Sequence, residues 1–291
     1  MGYKFSLMTT AGLGRRIGKR ADEFYKITLS IADINKDISE QFEQLKKVKP
    51  KLSKLKVQAA ELKEEKPRLQ DLYEQHEKEI HGIEEKLASD IRKMLRLIEE
   101  AALFIKDIIF DADTIIYREN KRLSSMIRKA RKMADAVAAN RIVFRLNTIK
   151  AEMKSLTLRL LQASELEEEE VLSYPAKKFE MEETGIKKFG SELAELEEEG
   201  FGMLKVDLII SNSRKKLKDL RTVEMKVIFL MISIDRYFDY LKSKVYLFED
   251  DVRENIEKKI LDSAGNFEGI KKDIREQALS LYENIEIIGE K

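Results

Sequence analysis

Apolar residues recur every seven positions from Ile31 to Ile115, and this repeat constrains the fold more than any other feature of the 291-residue chain. Stepping by seven gives Ile31, Ile38, Leu45, Leu52, Ala59, Lys66, Tyr73, Ile80, Leu87, Met94, Ala101, Ile108 and Ile115, twelve of the thirteen being apolar. The companion d positions run from Ile34 to Asp111, and eight of the twelve are apolar; the exceptions are Gln41, His76, Asp90 and Asp111. A 3-4 spacing held this long predicts a coiled-coil seam, because a single amphipathic helix at 3.6 residues per turn drifts off a 3.5 repeat. Pro50 and Pro67 lie off the seam and do not reset its phase, so both are read as kinks in a continuing helix. Unbroken, residues 31 to 115 would reach ~130 Å. The best-packed stretch, with Ile80, Ile83, Leu87, Met94, Leu97, Phe104 and Ile108, is the candidate seam for assembly with further copies.

Near Tyr117 the phase slips by one, as a stutter in one helix or the tip of a hairpin would make it. A second run follows, through Leu123, Met126, Ala130, Met133 and Val137, then Leu146, Ile149, Met153, Leu156 and Leu160. Residues 165 to 202 lose the pattern and hold Pro175 with four of the twelve glycines, which reads as a linker. Periodicity resumes with Leu220, Val223, Val227, Leu230, Ile234, Tyr237 and Leu241. A second row, Ile228, Met231, Phe238 and Val245, widens that stripe until it either completes a bundle or offers a docking face. A last helix opens on Glu249, Asp250 and Asp251, acids suited to a helix N-terminus, and carries Ile256, Ile260, Phe267, Ile274 and Leu281. The expected class is all-α, an elongated bundle of long helices with coiled-coil packing. Its expected parts are a basic segment at 1–20, long helices over 21–165 with kinks or turns near 50, 67 and 117, an acidic linker at 166–202, and a helical hairpin at 203–288.

Charge makes up 37% of the chain and cancels overall, with 55 Lys+Arg against 54 Asp+Glu, but it is segregated. Residues 1 to 60 hold thirteen bases and six acids, whereas residues 165 to 199 hold four and thirteen. The acidic linker could therefore fold back on the basic front. Arg15, Arg16, Lys19 and Arg20 form one candidate anion-binding set. Lys121, Arg122, Arg128, Lys129, Arg131 and Lys132 form another, and denser bases also occur at 46–56 and 214–221. The longest apolar stretch, Val227 to Ile234, stops at Asp235, far short of the ~20 residues a spanning helix needs. The first six residues fit the pattern M-G-x-x-x-S for N-myristoylation, although a bulky Tyr3 beside Gly2 counts against it.

The parts of an active site are missing. There is no Cys, which excludes a disulfide scaffold, a thiolate metal site and a Cys nucleophile. GLGRRIGKR is not a phosphate loop, because the glycine spacing is wrong and Lys19 is followed by Arg20 rather than Ser or Thr. His76 and His81, five residues apart, point about 140° from each other round a helix and cannot share a metal. The expectation is a non-enzymatic chain with no cofactor and no metal. The basic run 121–132 could neutralise phosphates, but it lacks the interleaved aromatics that stack on single strands, so an anionic lipid surface ranks ahead of nucleic acid.

The segment IRKMLRLIEEAALFIKDIIFDADTI, Ile91 to Ile115, resembles the central helix of archaeal ESCRT-III-type proteins. The resemblance lies in Ile91, Arg92, Lys93 and Met94, in apolar residues at helical spacing, and in the ending Asp113-Thr114-Ile115. It implies a protomer that polymerises through long helices on anionic membrane and is disassembled by a separate ATPase. The apolar helices after residue 203 have no counterpart in that pattern. The expected job is self-assembly on an anionic membrane surface, from a cytoplasmic location and peripheral to the inner face. The alternative is a coiled-coil adaptor that binds a protein partner through the 220–248 stripe.

Overall fold

The structure is a computed structural model and describes residues 8–61, 66–162 and 203–287. The acidic 166–202 segment and the acylation pattern at Met1–Ser6 lie outside those residues. Among them the chain is all-helical, with no strand. The helices are α1 (Thr10–Glu61), α2 (Lys66–Ala130), α3 (Ala136–Leu161), α4 (Met203–Lys244) and α5 (Asp250–Asn284), with a 3-10 turn at Val245–Leu247 between the last two.

Two boundaries differ from the sequence expectation. The heptad run is not one rod: α1 ends at Glu61 and α2 begins at Lys66. Pro67 is the second residue of α2, where a missing N–H costs nothing, while Pro50 sits inside an unbroken α1. The phase slip near Tyr117 lies within a continuous α2, so it is a stutter, and the turn comes later, at 131–135. Nor is the basic segment separate, since α1 already starts at Thr10, whose neighbour Thr9 accepts the Gly12 N–H on its hydroxyl at 3.2 Å.

The helices contribute to two compact units. Unit 1 takes α1 to Phe24, α2 from Leu103, all of α3, α4 to Ile232 and α5 from Gly269. Its core includes Leu13, Ile17, Ile108, Leu123, Ile127, Ile142, Leu146, Ile149, Val227, Ile228 and Leu281, all under about 2% exposed. Within it Arg20 meets Asp107 at 2.8 Å, and Arg16 meets Asp111, so α1 and α2 run antiparallel.

Unit 2 holds α1 from Tyr25, α2 to Ala102, and the chain from Ser233 to Glu268. Ile31, Ile38, Phe42 and Leu45 of α1 are buried, as are Ile80, Leu87, Ile91 and Met94 of α2. The Phe42 ring meets Tyr240 and Phe248 edge-on at 6.2 and 6.0 Å, and Phe238 meets Phe267 at 6.2 Å. Those rings anchor the antiparallel turn from α4 into α5. Lys49 holds that turn as well: its ammonium donates to the Leu247 carbonyl and lies 2.7 Å from the buried Glu84. Glu84 in turn accepts the Glu249 N–H at 3.2 Å, ahead of the Asp250 and Asp251 expected at the helix start.

Two polar seam positions of unit 2, Gln41 and Asp90, meet, while Gln41 Oε1 is left without a partner. Gln41 Nε2 donates to Asp90 at 2.8 Å, and Lys93 donates to the other carboxylate oxygen at 3.2 Å. Gln41→Leu removes a donor from a carboxylate that is 8% exposed, so we expect a loss of about 1–2 kcal/mol in urea unfolding. The double change Gln41→Leu with Asp90→Leu removes both partners and is expected to recover most of that loss.

Candidate anionic-surface interface

Of the four basic sets, the one at 46–56 belongs to unit 2, where Lys49 pairs with Glu84 and Lys46, Lys47, Lys51, Lys54 and Lys56 are exposed; the other three belong to unit 1, and the fold treats them differently. In the first, Arg16 grips Asp111 with two nitrogens, one bond from Nε at 2.5 Å, and Arg20 lies 2.8 Å from Asp107 and 3.7 Å from Asp111. Asp111 is fully buried, so these guanidiniums close the polar gap in the seam and are not free for a partner. The hydrogen bond to Asp111 holds the Arg16 pKa above its ordinary value. Only Arg15 and Lys19 remain exposed, Lys19 at 4.0 Å from Glu23.

The set at 214–221 is engaged too. Lys216 reaches the buried Glu119 at 2.5 Å, and Arg122 reaches the same carboxylate at 3.4 Å. Burial pushes the Lys216 amine down, and Glu119 partly restores it. Arg214 lies 3.4 Å from Glu152 of α3, and Arg145 of α3 pairs with Asp207.

The third set surrounds the turn from α2 into α3, within unit 1. Here Lys121 lies 4.7 Å over the Tyr117 ring, and Arg122 is held by Glu119. Arg128, Lys129, Arg131 and Lys132 are exposed, and no ion pair to them is present among the described residues. Local hydrogen bonding explains the sharp turn. Lys132 N–H donates to the Lys129 carbonyl at 3.1 Å and Met133 N–H to the Ala130 carbonyl at 3.0 Å. Asp135 then caps α3, its carboxylate accepting the Val137 and Ala138 N–H groups at 3.0 Å each. From Lys121 to Arg145 there are eight bases and this single acid. The arrangement is a rigid cationic corner, and the C-terminal end of α2 favours positive charge there.

The candidate assembly seam closes within the chain. Ile80, Leu87 and Met94 are buried and Ile83 and Leu97 partly buried in unit 2; Ile108 is buried and Phe104 partly buried in unit 1. Ile80, Leu87, Met94 and Ile108 are therefore not a surface for a second copy. The stripe after residue 220 is also internal: Leu220, Val223, Val227, Ile228 and Met231 are buried in unit 1, and Ile234, Phe238, Leu241 and Val245 in unit 2. That resolves the choice between bundle and docking face in favour of the bundle.

Buried polar groups that the heptad pattern did not single out occupy unit 1. Lys150 is 1% exposed and donates to Ser124 Oγ at 3.0 Å; burial lowers its pKa, Glu286 raises it and Arg128 lowers it. Asp113 of α2 and Glu224 of α4 are 1% and 5% exposed, and all four carboxyl oxygens lack a hydrogen-bond partner. Gln277 of α5 approaches Asp113 and lowers that pKa, against the larger effect of burial. Arg159 of α3 and Arg221 of α4 pull Glu224 down while Asp113 pushes it up. Burial dominates both, raising Asp113 to about 7 and Glu224 to about 8. Glu224 interrupts the apolar stripe beside Val223, the one sequence cue to its place. Among the described residues no group of three or more His, Cys, Asp or Glu side chains could hold a metal, and no helix is long and apolar enough to cross a membrane.

No protein-family model matches the chain, and neither the curated proteins nor the solved structures compared with it give a match.

The two raised carboxyls set a pH dependence. The folded state binds protons that the unfolded state releases between about pH 4 and about pH 8, so their contribution is intact below the unfolded values and lost as pH rises through the folded ones. Stability should fall across that window by up to about 1.4 kcal/mol per pH unit for each group. Asp113→Asn with Glu224→Gln should flatten the slope in urea unfolding run from pH 5 to 9.

Proposed function

We propose that the chain is a non-enzymatic helical scaffold that docks on an anionic membrane surface through the turn between α2 and α3 and assembles there with further copies. The observation that carries the docking is the contrast among the three basic sets of unit 1. Arg16, Arg20, Arg214 and Lys216 are neutralised by acids of the same unit, whereas Arg128, Lys129, Arg131 and Lys132 are exposed and without such partners. Four uncompensated cations on one corner are attracted to anionic headgroups by about 1 kcal/mol each near the surface, and the attraction weakens within a Debye length. Assembly rests on the resemblance of residues 91–115 to the ESCRT-III-type helix, and disassembly by a separate ATPase would follow from the same resemblance.

Co-sedimentation with phosphatidylserine-containing vesicles at low salt is the test. The full chain should pellet with them, remain in solution with phosphatidylcholine alone, and lose binding as salt rises. Charge reversal by Arg131→Glu with Lys132→Glu should weaken binding about tenfold or more, and reversal of Lys258 and Lys259 on α5 should do little. Absence of binding to the anionic vesicles, or preference for duplex DNA at equal salt, overturns the docking. Smooth vesicles without rods, rings or filaments in negative stain overturn the assembly.

A further inference from the structure

The outward side of α3 carries an apolar row that the heptad analysis of the longer helices does not predict. Val137 is 73% exposed, Phe144 74% and Leu158 38%, and Ala151 is exposed as well. These four recur at intervals of seven over 21 residues, about 31 Å of helix, while Ile142, Leu146, Ile149, Met153 and Leu156 supply the buried side. Between the apolar positions the same side presents Arg141 and Ser155, and no acid. The single acid of α3, Glu152, pairs with Arg214 instead. The helix therefore has two apolar sides, one closed by its own fold and one open.

We propose that this open side is an interfacial membrane contact: α3 lies along an anionic bilayer with Val137 and Phe144 inserted at the headgroup boundary, next to the cationic corner that binds the lipid charge. The inference rests on the proposed docking and adds its second component, a hydrophobic wedge. Charge complementarity selects the occupant. A second copy of α3 would bring more positive charge and no acid to offset it. A nucleic acid would satisfy the cations and leave Val137, Phe144 and Leu158 in water. An anionic bilayer satisfies both, and an interfacial helix of this kind combines a basic border with large apolar residues on the membrane side. Apolar insertion is insensitive to salt, so the wedge converts a contact that salt dissolves into one that persists.

Vesicle binding of four forms decides the matter: the natural chain, Val137→Ser with Phe144→Ser, Arg131→Glu with Lys132→Glu, and Phe144→Trp. The chain has no tryptophan, so the last gives a single probe. Helix content and urea midpoint should match the natural chain in all three variants, since each altered side chain is exposed. The serine pair should bind anionic vesicles at low salt but about a hundredfold more weakly than the natural chain at 0.3 M salt, about tenfold for each side chain. The Phe144→Trp emission should shift to the blue on the same vesicles. Unchanged binding of the serine pair at high salt, with no blue shift, overturns the wedge while charge-dependent binding leaves the docking intact. A blue shift that grows with protein concentration in the absence of lipid identifies a second copy as the occupant and overturns it too. No binding by the natural chain removes the docking itself, and the wedge with it.

Discussion

The register of α1 against α2 depends on polar residues placed where the seam should be greasy. A continuous apolar seam between two antiparallel helices tolerates sliding, because one Leu or Ile layer resembles the next. A charge at a d position does not, since it must meet its complement or be buried alone at a cost of several kcal/mol. In unit 2 the polar d position Gln41 meets the polar d position Asp90. In unit 1 Arg20, two heptad steps upstream of the first d position counted, meets Asp111, and Arg16 completes the carboxylate's coordination. Each pairing is local to its unit, and each forbids a slip of one heptad within it. The net worth of such pairs to stability is modest; their contribution is to exclude alternatives.

This arrangement also governs how charge is distributed over the surface. A total of 55 bases and 54 acids resembles neutrality, and the sequence breaks it into a basic front and an acidic linker. The fold regroups it again. Arg16, Arg20 and Lys49 of α1 are neutralised by acids of α2, and Arg214 and Lys216 of α4 by acids of α2 and α3, so the basic front is only in part the free cationic surface it resembles in one dimension. In unit 1 the densest exposed set that remains is a short corner after Ile127. Its local charge is smaller than that of the whole front, yet it is available to a partner.

The helical class and the α4–α5 hairpin were legible because apolar spacing and terminal acids report on them directly. The antiparallel pairing of α1 with α2 was not. Heptad phase records which side of a helix is apolar, and an antiparallel partner needs the same side as a continuing rod, so the phase is silent on direction. The d-position mismatches held the missing information: polar residues at Gln41, Asp90 and Asp111 require complements, and the complements lie in an antiparallel register. Ile17 and Phe24 also continue the step of seven upstream of Ile31 and belong to the core of unit 1, which places Arg16 and Arg20 inside the packing. Of the candidate contacts, Arg15, Lys19, Lys121, Arg128, Lys129, Arg131 and Lys132 are exposed, the last four together at one corner. Val137 was counted within an apolar run whose burial could not be read without knowing where α3 turns, and Phe144 drew no attention as a lone aromatic. Lys150, Asp113 and Glu224 escaped because burial of a polar side chain is set by the neighbouring helices rather than by its own sequence context.

Asp113 and Glu224 have one more consequence, for heat rather than for shape. Near neutral pH the unfolded chain carries both as carboxylates, and the folded unit 1 holds Glu224 mostly and Asp113 partly protonated. Folding therefore takes up protons from the medium, and some buffer molecule must give them up. The apparent enthalpy of unfolding includes that buffer's own heat of ionisation, so two buffers at the same pH report different enthalpies for one structural transition, and the difference counts the protons that unit 1 carries.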